Sequence, residues 1–254
     1  MTTVYEQWAR FYDLVHAQVT ADIPFYLALA QELGGPILEL GCGSGRTLFP
    51  LAEANFEVVG LDNSDAMLSR ARKRLAGCPF RERVGLVRGE MGDFDLGRRF
   101  PLITVPFHAW MHLAGRQQQS AALHCIGRHL RPGGQLVIDV PAPATIVEAE
   151  HDGALVLEGM YSDPETGQTV LQFSSTRLDE KNQLLHVTWI YDQMGGDGVV
   201  KRVAAPMTLQ YLYPHEAKLM LGDAGLRLKT LWGNYSRSPY SAGSEKLIVV
   251  AEKQ

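Results

Sequence analysis

The sequence predicts an α/β protein built on a doubly wound, Rossmann-like parallel sheet that carries a small inserted antiparallel sheet. Three observations predict it. A strand-like run, Ile37-Leu38-Glu39-Leu40, enters a turn with glycines at 41, 43 and 45. From there to residue 140, short apolar runs alternate with helix-compatible segments, the pattern of parallel strands joined by helical crossovers. Between about 154 and 211 that rhythm gives way to period-two alternation broken by turn residues, which reads as antiparallel strands.

The elements follow in order. Residues 4–33 are helix-like, with Trp8, Phe11, Tyr12 and Val15 on one face, and Gly34-Gly35-Pro36 ends them. Strand-like runs come at 37–40, 56–61, 84–88, 102–106 and 135–140, and helix-like runs at 47–54, 64–76 and 115–130. In such a sheet the ligand lies outside the carboxyl ends of the strands. Gly41, Asp62, Glu90, Phe107 and Pro141 fall there. In the insertion, Val170, Gln172 and Ser174 oppose Leu171 and Phe173, while Val187, Trp189 and Tyr191 alternate with Thr188 and Ile190. Turn chemistry at 163–167, 179–182 and 195–198 divides it into three or four strands. A helix at 214–224, stopped by Gly225, and strands at 226–232 and 246–250 complete the parent pattern. The division expected is 1–153 with 212–254 as the α/β domain, 1–35 being its helical cap, and 154–211 as a lid or dimerisation sheet.

Composition narrows the function classes. Of 254 residues, 46% are apolar, enough for a sizeable core. The net charge is −4 and no run of five like charges occurs. The densest basic cluster, Arg70 to Arg74, reads as the solvated face of a helix whose other face holds Met67, Leu68, Ala71 and Leu75. Nucleic acid is therefore not the expected partner. Cys42, Cys78 and Cys125 have neither metal nor disulfide spacing. No signal peptide and no membrane-length apolar run are visible, so the expectation is a cytoplasmic protein without a membrane partner.

The glycine turn supplies the chemistry. Glycines permit positive φ and leave no Cβ between a ligand and the backbone, and the amides opening the next helix face that ligand. Asp62, seventeen residues beyond Gly45, closes the next strand-like run, where a carboxylate can accept hydrogen bonds from both ribose hydroxyls. The pair reads as a site for a nucleoside-containing cofactor. A dinucleotide fingerprint, G-x-G-x-x-G, would need glycine at 46, and that position is Arg46.

G-x-G-x-G with Glu39 two residues ahead resembles the first motif of the class I S-adenosylmethionine (SAM)-dependent methyltransferases. Gly60-Leu61-Asp62-Asn63-Ser64-Asp65-Ala66-Met67-Leu68 is similar to that family's ribose-binding strand end and following helix. Gly89-Glu90-Met91 is similar to its adenine-binding loop, and Leu130-Arg131-Pro132-Gly133-Gly134 to its turn into the fifth strand. The resemblance covers roughly residues 36–141. It implies a seven-stranded methyltransferase sheet with SAM as cofactor and no metal. The implied cofactor contacts are Tyr12, Glu39, Gly41, Cys42, Gly43, Gly45, Asp62, Asn63, Met67, Glu90, Met91 and Phe107, with Asp93 as the fallback for Glu90. The insertion resembles the antiparallel lid of small-molecule N-methyltransferases.

On the acceptor side, His108 and His112 follow the fourth strand, four apart, and share a face if that segment is helical. A neutral imidazole there can take the proton that an attacking amine or hydroxyl loses. Two histidines could also hold zinc, but no third ligand accompanies them. Trp110, Tyr5, Tyr211 and Tyr213 are the expected substrate contacts. The segment reads Val105-Pro106-Phe107-His108, unlike the Asn/Asp-Pro-Pro-Tyr/Phe of enzymes that methylate amide and base nitrogens. The expected function is methyl transfer from SAM to a small-molecule amine. Oxygen methylation, a nicotinamide oxidoreductase and a non-catalytic SAM-binding module are the alternatives.

Overall fold

The central strands are apolar on both faces, which commits them to a sheet covered on both sides. β1 (Ile37–Leu40) and β4 (Phe100–Val105) are buried along their whole length. The computed structural model describes residues 5–16, 18–149 and 151–253, with side chains described from Trp8 onward. β2 (Val58–Asp62), β3 (Val84–Arg88), β5 (Leu130–Pro141), β10 (Leu226–Trp232) and β11 (Lys246–Lys253) join β1 and β4 in a seven-stranded sheet. Its order is β10-β11-β5-β4-β1-β2-β3. The order reverses at β1, so the crevice beyond the ends of β1 and β4 is the place for a ligand.

The sheet is mixed rather than wholly parallel, because β11 runs antiparallel to both β5 and β10. The connection at 233–245 contains no helix, so the chain turns back on itself instead of crossing over. Helices α1 (Tyr5–His16), α2 (Ile23–Leu33), α3 (Leu48–Glu53), α4 (Asp65–Leu75), α5 (Arg116–His129), α6 (Pro143–Val147) and α7 (Pro214–Asp223) complete this unit. Ser64 caps α4 by accepting from the Met67 amide. The short α6, opened by Pro143, has no counterpart in the periodicity of the sequence.

β6 (Val156–Ser162), β7 (Thr169–Asp179), β8 (Leu184–Met194) and β9 (Val200–Gln210) form a separate antiparallel sheet in chain order. α1 joins this sheet to the larger unit. Phe11 stacks on Tyr191 at 4.6 Å between ring centroids, Trp8 stacks on the same ring at 6.0 Å, and Arg10 donates to Gln193 at 2.6 Å. From the next turn of α1, Asp13 accepts from Arg70 at 2.7 Å and from the Ser44 hydroxyl inside the glycine turn. No helix among the described residues is long and apolar enough to cross a membrane.

Candidate active site

β1 delivers the chain into the glycine turn with Gly41 at φ 70° and Gly43 at φ 54°, conformations that a side chain rarely adopts. Space is also closed to side chains here. A Cβ on Gly41 would lie 2.6 Å from Ala109 Cβ and 2.9 Å from Met91 Cε. Gly45 serves the turn and not the cavity, since a Cβ there would meet the Phe49 ring at 2.6 Å. Cys42 lines the cavity, but its buried thiol is pushed up by desolvation, so it is a small filler and not a thiolate.

Over this turn opens a cavity of about 920 Å³, bounded by the strand ends, α1 and the inserted sheet. That is near the upper end of the ~300–1,000 Å³ typical of ligand sites, with room for a cofactor and a small acceptor together. Asp62 ends β2 within it. Its two oxygens accept from the Gly43 and Ser64 amides, each at 2.8 Å, which fixes the carboxylate rigidly. Burial raises its pKa against the pull of those amides. Glu90 and Asn63 line the same end and hydrogen-bond each other at 3.2 Å, with Met67, Met91 and Asp93 beside them.

Glu39 is the clearest mark of a missing partner. It is 1% exposed and lines the cavity; Oε1 accepts from Thr47 at 2.7 Å, while buried Oε2 has no hydrogen-bond partner among the described residues. Burial pushes its pKa up to about 8. An orphaned, desolvated carboxylate beside bare backbone and a rigid Asp62 fits a cofactor carrying an ammonium group at one end and a ribose at the other. SAM has both. Tyr12 lines the cavity from α1, and burial pushes its phenol up to about 12.

Arg46, which sits where a dinucleotide motif needs glycine, has a structural task of its own. It pairs bidentately with buried Asp22 at 2.6 and 2.7 Å, donates to the Val19 carbonyl at 2.8 Å, and lies 4.4 Å above the Phe107 ring. It thereby ties the link between α1 and α2 to the glycine turn.

The acceptor side differs from expectation in its details. His108 and His112 both line the cavity, but the segment is not an α-helix. Phe107 and His108 take positive φ, 49° and 67°, and His108 caps a single 3₁₀ turn, Ala109–His112. The His108 amide donates to the Asp139 carbonyl at 3.1 Å, and its ring stacks on Phe107 at 5.1 Å. Burial lowers the His108 pKa to about 4, with the nearby Lys246 ammonium adding to the effect. His112 is exposed at the mouth of the cavity, and the protein around it lowers its pKa as well. His16, which the sequence reading passed over, faces the same space from α1, 5.1 Å from Phe107. Burial and the Arg46 charge hold it near 4.

Three expected substrate contacts lie elsewhere. Trp110 is 1% exposed, because the 3₁₀ turn directs it into the core beneath β4 and β5. Tyr211 is 2% exposed in the same core, since the chain dives inward where β9 ends. Tyr213 caps α7 and packs against Tyr211 and His215, away from the cavity. The Tyr5 side chain lies outside the described residues. The cavity wall comes instead from Trp8 on α1, Trp189 and Tyr191 on β8, and Met207 to Leu209 on β9. Alternation marked Trp189 and Tyr191 as sharing a face, yet nothing local showed that this face meets α1.

Comparison with known proteins agrees with this geometry. A family described as a methyltransferase domain matches residues 37–134, the stretch from β1 into β5. The cypemycin N-terminal methyltransferase of a Streptomyces species is 27% identical over 99% of this chain and 98% of its own. The dTDP-3-amino-3,4,6-trideoxy-alpha-D-glucopyranose N,N-dimethyltransferase of Streptomyces venezuelae is 26% identical, over 87% of each. The solved CcbJ methyltransferase of Streptomyces caelestis superposes with a TM-score of 0.85 at 27% identity, covering 99% of this chain and 98% of that one. The glycine turn, the fixed acid at the end of β2 and the seven-stranded order thus share one explanation: a SAM-dependent methyltransferase domain, matched at residues 37–134 and, at 26–27% identity, along most of the chain.

Proposed function

We propose that the enzyme transfers the methyl group of SAM to an amine nitrogen of a small molecule. The observation that carries this is the group of neutral imidazoles, His16, His108 and His112, facing the cavity beyond the cofactor crevice. One relative similar over most of the chain is named an N,N-dimethyltransferase and another, by its name, acts at an N-terminus, which supports nitrogen over oxygen.

Bound SAM supplies a sulfonium methyl: the amine lone pair forms the N–C bond, the S–C pair stays on sulfur, and one N–H proton must leave. The protein's part is to position the acceptor, exclude water and take that proton. Glu39 and Asp62 would hold the ammonium and ribose ends of the cofactor. Phe107, clamped between Arg46 and His108, walls the crevice. His108 or His112 faces the acceptor unprotonated and takes the proton as a weak base that passes it on to water. The inserted sheet acts as a lid, and β6, its outer edge strand with Leu157 and Met160 exposed, is the surface for a homodimer. The setting is cytoplasmic, without a nucleic-acid partner.

The histidines test this reading. His108→Asn or His112→Asn, but not both equally, should lower kcat by about 10²–10⁴ without weakening SAM binding. The deficit should shrink as pH rises toward the amine's own pKa. A pH-independent change confined to KM in both variants would leave the imidazoles as walls and the proton to water.

A further inference from the structure

The charged side chains of the cavity are unevenly placed. Glu39, Asp62, Glu90 and Asp93 are all acidic and all gather at the ends of β1 to β3, around the cofactor crevice. Among the described lining residues, Arg46 is the one arginine or lysine, and both of its terminal nitrogens are committed to buried Asp22. The undescribed positions add no lysine, arginine or histidine to the sequence. Burial holds His16 and His108 uncharged, and His112 is exposed at the cavity mouth. The acceptor end is walled by Trp8, Leu113, Trp189, Tyr191, Met207 and Leu209, with Thr208 and, from the first turn of α5, Gln117 and Gln118 as its neutral polar groups.

A nucleotide-linked amino sugar carries a diphosphate. Such a group is recognised by guanidinium or ammonium groups, or by an open helix N-terminus. Here, among the described residues, the one such feature at the acceptor end is the first turn of α5, at Gln117 and Gln118, with no free cation beside it. Against aromatic and aliphatic walls, in a cavity whose other ionisable groups are acids and neutral histidines, the diphosphate would lose more hydration than it regains. An uncharged apolar body would instead match those walls, and its amine would reach the neutral imidazoles. Resting on the amine-methylation reading above, we infer that the acceptor is a free amine on an uncharged, largely apolar scaffold, and not a nucleoside-diphosphate-linked amino sugar.

The test uses one amino sugar presented in two ways to the full-length enzyme saturated with S-adenosylhomocysteine (SAH), the demethylated cofactor. In one it is an octyl glycoside; in the other it is linked to dTDP. Calorimetry should show the octyl glycoside binding at least about tenfold more tightly. With SAM in place of SAH, the octyl glycoside should be the better methyl acceptor. Trp189→Ala should weaken the octyl glycoside roughly fivefold or more and leave SAH affinity unchanged. Equal or tighter binding of the dTDP-linked sugar, binding of neither, or indifference to Trp189→Ala would overturn the inferred acceptor class while SAH binding stands. Failure of SAH itself to bind would instead sink the underlying methyltransferase reading.

Discussion

The floor and the roof of the cavity are made in opposite ways. The floor, from Glu39 through Asp62 to Glu90, consists of strand ends and the turns that leave them, so each contact is set by a few consecutive residues. The roof brings together Trp8, His112, Trp189 and Met207, which are remote in sequence and meet only because α1 lies between the two sheets. The floor is polar, acidic and backbone-rich; the roof is aromatic and uncharged. A floor built locally suits an invariant cofactor. A roof assembled from four elements can be re-lined for a new acceptor without touching the fold.

The sharpest way to break that contrast is at the contact between the halves. Gly41 packs against Ala109, the residue that opens the histidine-bearing turn. Gly41→Ala adds backbone strain of ~1–3 kcal/mol and a clash, so SAM affinity should fall roughly 10–100-fold and acceptor turnover should fall with it. An unchanged SAM dissociation constant by calorimetry would show that the turn yields freely. Asp62→Ala addresses the floor alone. Losing a charged acceptor of ribose hydroxyls costs ~1.5–3 kcal/mol, so SAM should bind at least about tenfold more weakly while the acceptor KM holds. A shift in acceptor KM with SAM affinity intact would reverse the assignment of the two halves.

Tyr191→Ala addresses the roof. The variant removes rings stacked at 4.6 and 6.0 Å, a contact of ~0.5–1.5 kcal/mol per pair, and should raise the acceptor KM roughly 2–10-fold. SAM affinity should move far less; an equal loss would mean that α1 needs the sheet to hold the cofactor. The smallest effect concerns pH. His16 and His108 have folded pKa values near 4, below the ordinary ~6.5, so the unfolded chain binds more protons between those values. Stability should therefore be complete above about pH 6.5 and decline as pH falls toward 4. His108→Asn should flatten the slope of Tm against pH in that window, and an unaltered slope would show that the ring is not buried in its neutral form.

The same contrast explains what the sequence revealed. The placing of the glycine turn, Glu39 and Asp62 at the cavity was legible because strand, turn and cavity-facing acid lie within one short pattern. The inserted strands were legible because alternation and turn residues are local too. His16 was not, since its role depends on Phe107 and Arg46 arriving from the other side of the crevice. Trp110 and Tyr211 looked like cavity residues because they flank cavity residues. A single 3₁₀ turn and the end of β9 rotate them into the core. The reversal of β11 was equally hidden, since an apolar run shows no direction.

α1 has a consequence for the rhythm of turnover. Asp13 fastens it to the glycine turn, and Trp8 and Phe11 fasten it to the inserted sheet, while Tyr12 and His16 look into the cavity between. One helix is thus a wall shared by both occupants. Were α1 to lift for exchange of the spent cofactor, the same movement would unroof the acceptor, so loading and unloading of both occupants would be coupled through one helix.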